Sequence, residues 1–248
     1  MAATGPLADD DARTLHQQVL ARLRENILLG RIEPGQALTI RGLAAELGVS
    51  AMPVREALRQ LVAERALELM DNRRVRIPPM TIERFEDLIA ARIVLEAEAA
   101  ARAMPYVTDA LIARLEAEDV AINAAVAERD YDRWISANYA FHSALYGAAG
   151  QSAFLPLIES LWLQVGPFLR RAIRTISGHY TVDRHSEALA ALRRRDTMAL
   201  RIAIEADIRD GIAHIGSTLI RSESLGATVV QGTLRQAQGE RVLGEAPS

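Results

Sequence analysis

RGLAAELGVSAMPVREALRQLVAERALELMDNRRVRI, residues Arg41–Ile77, sets out a helix, a glycine turn, a second helix and an arginine-rich hairpin in close succession. Thr39 can cap the first helix by accepting from backbone N–H groups that lack an intrahelical partner. Leu43, Ala44 and Leu47 share one face of it. Gly48 ends it, because glycine takes a positive φ without steric cost. Val49 is placed to plug the turn into the core. Ser50 can cap the second helix, and Pro53 is tolerated there because it falls in the first turn. Val54, Leu58 and Leu61 face inward, while Arg55 and Arg59 lie on another face. Leu67–Ile77 supplies two short strands around an Asp71-Asn72 turn, with Arg73, Arg74 and Arg76 at or near the tip. The order predicts a winged helix-turn-helix, whose arginine-bearing helix enters a major groove about 12 Å wide and meets base edges or phosphates.

The charge distribution fits that reading. The chain has 248 residues and a net charge of −3, the wrong sign for a DNA binder until it is divided. Residues 13–77 hold 11 arginines against seven acidic residues, a net of +4, and the remainder is acidic on both sides. Positive charge is therefore concentrated where phosphates would lie. The chain contains no lysine, which points to a genome-composition bias. It contains no cysteine, which excludes disulfides and thiolate metal sites. No run approaches the roughly 18 apolar residues of a membrane span. The acidic start, MAATGPLADDDART, lacks the basic and apolar stretches of an export signal. A cytoplasmic location is expected.

Outward from the motif, Leu15, Val19, Leu23 and Ile27 recur at i, i+4 spacing and predict a helix over 13–29. Pro78-Pro79 opens a short, stiff linker over 78–80. From Thr81 the period is helical, with helices near 81–103, 108–129, 131–149, 152–176, 180–194 and 196–224. Residues 1–12 read as a flexible N-terminus and 226–248 as a disordered tail. The fold class is thus mainly α: a winged helix-turn-helix over 13–77 with a small β wing, then an all-α helical bundle over 81–225.

The segment GVSAMPVREALRQL resembles the recognition-helix signature of GntR-type transcription regulators, and the resemblance covers about the first 80 residues. The helical remainder resembles the FCD effector domain of the FadR-like subgroup. The resemblance implies DNA-facing roles for Arg41, Ser50, Arg55 and Arg59, and for Asn72 and Arg73 in the wing. Two positions depart from the family pattern. Ala51 stands where an arginine is usual, and Arg74 stands where the wing usually has glycine. The operator sequence is therefore not transferable.

The FCD resemblance also implies a metal site. Its pattern is Asp-x-x-x-His, then His, then another His 22 residues on. Here the matching positions are Asn138, His142, His185 and Asp207. Asn138 and His142 share a helix face. Two imidazoles and a carboxylate could hold Zn²⁺, Ni²⁺ or Mn²⁺ with a position left for a ligand oxygen. His214, seven residues after Asp207, is a further candidate on the same face, although about 10 Å of rise separates the two. The alternative is a polar pocket that works without metal.

Nine of the 11 aromatic residues lie between Tyr131 and Tyr180, a concentration suited to core or to an apolar pocket within a bundle. Arg92 matches an Arg-x-x-x-Glu pattern of the family and suits a carboxylate ligand, or else an ion pair with Glu96. Arg170, Arg171 and Arg174 are further candidates for the acid. Together these residues predict a ligand-responsive regulator, a repressor, that binds duplex DNA at a palindromic operator as a homodimer. Its effector is a small organic acid held near Arg92, Asn138, His142 and His185, and the linker would pass the signal to the wing. The rival is a metal-dependent helical-bundle enzyme fused to a DNA-binding module. Against it stand the absence of Glu-x-x-His, HExxH, a Gly-rich phosphate loop and a cysteine nucleophile.

Overall fold

A computed structural model of the chain describes residues 15–71, 74–150, 153–175, 184–214, 216–217 and 219–220. The expected flexible N-terminus and the tail from 226 lie outside the described residues, as do Asn72 and Arg73.

The N-terminal part is built from α1 (Leu15–Leu28), β1 (Ala37–Leu38), α2 (Ile40–Leu47), α3 (Ala51–Ala63), β2 (Glu68–Leu69) and β3 (Val75–Arg76). Val19, Leu23 and Ile27 of α1 are buried as their spacing predicts, whereas Leu15, in its first turn, stays exposed. Thr39 accepts from the Gly42 N–H at the start of α2, and Gly48 closes that helix at φ 69°. Val54, Leu58 and Leu61 turn α3 into the core. The wing has one strand more than the sequence suggests. β1 pairs antiparallel with β3, which also pairs with β2, giving the order β1-β3-β2. Two-residue β1 is too short to show alternation, so its pattern carries no strand signal.

Thr81 caps α4 (Ile82–Ala103) by accepting from Arg84 N–H. A 3₁₀ turn follows at Met104–Tyr106. Next come α5 (Asp109–Glu128), α6 (Tyr131–Tyr146), α7 (Phe154–Thr175), α8 (His185–Arg194) and α9 (Thr197–Ile208). The side chains of Thr108, Asp130 and Asp196 cap α5, α6 and α9. After α9 the helix widens into a π-helical turn, Arg209–Ala213. One apolar core, from Phe85 to Ile220, joins these helices.

The two parts share a packed seam. Leu163 of α7 lies within the core of the winged helix, among residues that include Val19, Leu58 and Leu61. Leu29, just past α1, packs in return on Ile135 of α6 and Ile173 of α7. At Gly166 of α7 a Cβ would stand only 2.7 Å from the Leu28 carbonyl oxygen, so the two backbones meet where only glycine fits. Polar contacts flank this apolar seam. Arg170 donates to the Leu29 carbonyl at 2.8 Å and pairs with Asp132, which Arg31 also holds at 3.0 Å. Burial would push the Asp132 carboxyl up, but its bonds to Arg170 and Arg31 outweigh that and hold it below the ordinary range. Ion pairs this exposed contribute at most about 1 kcal/mol each, whereas a buried leucine contributes about 1.5–3 kcal/mol. The leucines therefore dominate the seam.

Leu163→Ala should destabilise the protein by about 2–5 kcal/mol. Hydrogen exchange should show the loss first in α1 and α3, although the substituted residue belongs to α7. Protection lost only in α7 and its helical neighbours would refute a shared core.

Candidate functional site

Arg41, Arg55 and Arg59 are exposed on the helix-turn-helix, with Arg41 on α2 and the other two on α3. Ser50 occupies the N-cap position of α3, yet its side chain makes no capping bond. Pro53 at the third helical position has no N–H to offer, which removes one of the two donors such a cap could use. The Ser50 hydroxyl is thus not committed to the cap. In the wing Arg76 binds Glu68 across the strands at 2.6 Å, so it serves the sheet. The wing candidates Asn72 and Arg73 fall outside the described residues.

In the helical part the structure brings together His142 of α6, His185 of α8 and Asp207 of α9. His142 and His185 are buried, and Asp207 is nearly so. His142 Nε2 lies 3.3 Å from Asp207 Oδ2 and 3.4 Å from His185 Nε2, and His185 Nε2 lies 4.0 Å from Asp207 Oδ1. Donors around a tetrahedral Zn²⁺ with bonds near 2.1 Å stand about 3.4 Å apart, so the spacing fits.

The surrounding hydrogen bonds fix how each ring is presented. Glu96 of α4 is completely buried. It accepts from Arg92 Nε at 2.7 Å, from Trp162 Nε1 at 2.8 Å and from the Tyr146 hydroxyl at 3.1 Å. Burial, and then the nearby Glu96 and Asp207 charges, push the Tyr146 phenol well above its ordinary range, so it stays a hydroxyl. Its one proton goes to Glu96, so its oxygen accepts from His142 Nδ1, 3.0 Å away. Nδ1 of His142 is therefore protonated, and its Nε2 faces Asp207: as a donor when the ring carries a second proton, and as the lone pair open to a metal when it does not. Burial would raise the Asp207 carboxyl, but the hydrogen bond from His142 and the charges of His142, His185 and Arg92 hold it low. It is a carboxylate at neutral pH.

Sequence reasoning missed Asp119 of α5. Its Oδ1 stands 3.3 Å from His185 Nδ1, in charge contact without the alignment of a full hydrogen bond. A carboxylate behind a ligating histidine orients the ring and raises its basicity. No spacing on α5 announces this, because the contact exists only once α5 packs beside α8. Among the described residues Asp119 Oδ1 and Asp207 Oδ1 are buried oxygens without a hydrogen-bond partner. Arg92 set against Glu96, Asp119 and Asp207 leaves a formal charge of −2 with neutral imidazoles. A divalent cation matches that charge, the donor types and the orphaned Asp207 oxygen, so the residues fit the group.

His214 does not join the cluster. The π-helical turn between it and Asp207 adds a residue per turn, which rotates it off the face that α-helical counting predicts. Asn138 lines a small adjoining cavity with Arg92, Tyr139, Trp162, Gly166 and Leu28. Arg92 forms the expected buried pair with Glu96, yet it borders this cavity as well. Arg170 lies at the seam instead, its Nη1 held by the Leu29 carbonyl and Asp132. Arg171 lies exposed on α7. A larger groove, about 700 Å³, opens between the wing and α4 beside Arg65, Glu68 and Arg84, away from the converging donors.

With this geometry in hand, the matches to known proteins are specific. The profile of the bacterial regulatory proteins of the gntR family matches residues 15–77, and the FCD domain profile matches residues 87–210. The chain belongs to the gntR family and carries an FCD domain. It is 28% identical over 203 residues to the HTH-type transcriptional regulator McbR of Escherichia coli, covering 81% of this chain and 92% of that one. It is 30% identical over 219 residues to the uncharacterized HTH-type transcriptional regulator BphR of Paraburkholderia xenovorans, covering 84% and 89%. A gluconate operon transcriptional repressor of Bacillus licheniformis is 25% identical over 185 residues, covering 72% and 76%. The solved structure of E. coli McbR/YncC matches with a TM-score of 0.78 at 27% identity, covering 84% of this chain and 99% of that one. These relatives are regulators, so this gntR-family chain is a DNA-binding transcription regulator and not an enzyme. The fused-enzyme reading is set aside. Among the described residues no helix is long and apolar enough to cross a membrane.

Asp119→Ala should weaken binding of Zn²⁺ or Ni²⁺ by roughly 10–100-fold. Competition against a chromophoric chelator measures this directly. Unchanged affinity would show that Asp119 does not orient His185.

Proposed function

We propose that this regulator is a cytoplasmic, ligand-responsive repressor. It acts as a homodimer on a palindromic operator, with Arg41, Ser50, Arg55 and Arg59 facing duplex DNA and Asn72 and Arg73 in the wing. One recognition helix reads too few base pairs to select a site in a genome, and two-fold pairing doubles the contacts. The helical domain holds one divalent metal through His142, His185 and Asp207 and takes a small organic acid beside Arg92 and Asn138. The relative named for the gluconate operon favours a sugar acid within that class.

The observation that carries the reading is the buried triad of donors, oriented from behind by Tyr146 and Asp119, around an oxygen with no partner. When bound, the metal supplies a Lewis-acidic position for a ligand oxygen. The protein's own residues do the rest. Tyr146 fixes the His142 tautomer, Asp119 positions His185, and Glu96 sets Arg92 at the cavity edge, where its guanidinium suits a carboxylate. An acid bound there changes DNA affinity only to the extent that it prefers one arrangement of the dimer.

Elemental analysis of untagged protein should find up to one divalent ion per chain, and the double change His142→Ala and His185→Ala should abolish it. Protein that stays metal-free after incubation with Zn²⁺, Ni²⁺ and Mn²⁺ would sink the metal reading and leave a polar pocket. Arg55→Ala should lower operator affinity at least tenfold, since losing a bidentate base contact costs about 1–3 kcal/mol. Gel-shift titration at fixed salt reads this, and native affinity in the variant would remove Arg55 from the interface.

A further inference from the structure

The leading turn of α3 carries no polar side chain. After Ser50 the helix begins Ala51, Met52, Pro53, Val54, and its first charged residue is Arg55. Val54 is buried, whereas Ala51 and Met52 are exposed. Met52 is 65% exposed and takes no part in the winged-helix core. Among the described residues of α3 it is the one large apolar side chain left in solvent. Arg55, Glu56 and Arg59 follow it three, four and seven residues on, share its face and are all exposed. We propose that Met52 reads a base, selecting a thymine in each half-site by contact with the C5-methyl group. The inference rests on the reading that α3 faces duplex DNA and names what its first turn recognises there.

Packing does not account for this side chain. The residues that α3 gives to the core are Val54, Ala57, Leu58 and Leu61. At about 100° per residue these four centre on the direction opposite Met52. Single exposed apolar residues are ordinary elsewhere on a protein surface. This one stands at the end of a recognition helix whose N-terminal residues meet the base edges. The position that enters the groove first therefore offers neither a charge nor a strong hydrogen-bonding group.

The chemistry of the major groove then selects the partner. Base edges there present donors, acceptors and, at thymine alone, a methyl group. Ala51 has nothing to hydrogen-bond, and the thioether of Met52 is a weak acceptor. A polar base edge set against these two side chains loses water without gaining a partner. A thymine methyl set there leaves water at a gain. The unbranched, polarisable methionine side chain adapts its shape to such a contact. Arg55, one turn further along the same face, has the donors for a neighbouring base or phosphate. The helix thus reads by apolar contact in its first turn and by hydrogen bonds in its second.

The test uses the full-length protein and the duplex sequence that it enriches from a randomised DNA pool. Each thymine of that sequence is replaced in turn by deoxyuridine, which pairs identically and lacks only the methyl group. At one symmetry-related pair of positions the replacement should weaken binding roughly fourfold per methyl, about 15-fold for the pair. Met52→Ala keeps a strong helix former at an exposed site and should bind the thymine and uracil duplexes within about twofold of each other. Uracil tolerated within that margin at every thymine, or a Met52→Ala variant that keeps the parent's full uracil penalty, would overturn the methyl contact. Arg55→Ala, titrated on the same duplex, separates this outcome from the broader reading. If it still loses about tenfold or more while uracil is tolerated, α3 stays on the DNA and only the Met52 contact falls. If neither change affects binding, α3 leaves the interface and both readings fall.

Discussion

Glu96 is the constraint on which the helical part depends. A carboxylate wholly out of water is tolerable only if its oxygens are filled, and an isolated buried charge would be unfavourable by several kcal/mol. Arg92, Trp162 and Tyr146 fill them from three directions. Each donor is thereby committed, and each commitment has a consequence. Tyr146 donates to Glu96 and so accepts a hydrogen bond from His142 Nδ1–H, which turns the other His142 nitrogen towards Asp207. Arg92 spends Nε on Glu96 and lines the adjoining cavity. The His142–His185–Asp207 cluster and the small cavity beside Arg92 are two sides of one buried carboxylate.

The second organising feature is the position of α7. This helix contributes Leu163 to the winged-helix core and Trp162 to the Glu96 network, on consecutive residues that point to different sides. Gly166 permits the close approach of α1, since any larger residue would meet the Leu28 carbonyl. A winged helix joined to a bundle by a short linker could in principle pivot freely. Here the apolar seam packs the two parts against each other through Leu163 and Leu29.

Much of this was legible in the chain because it rests on local rules. The Thr39 cap, the Gly48 turn, the inward face of α3 and the helical period of the second part each need only neighbours within a few residues. The pairing of Arg92 with Glu96 follows from i, i+4 spacing. The departures also have local causes: Pro53 removes one of the two donors that a Ser50 cap could use, and a π-helical turn follows α9 before His214. Strand β1 left no trace in two residues, because a strand that short is defined by its partner β3 alone.

The sequence by itself determined the helix-turn-helix, the helical class of the remainder and the family-spaced candidates His142, His185 and Asp207, since periodicity, capping residues and fixed spacings are properties of the chain. Only the tertiary structure decided which of these groups meet. It set Asp119 behind His185 from a helix with no relevant spacing, seated Leu163 in the other domain's core, engaged Arg170 at the seam and brought Leu28 to the cavity that Arg92 lines. The physical reason is that these contacts join residues far apart along the chain, and side-chain chemistry names what a residue can bind without saying what the packing brings into contact with it.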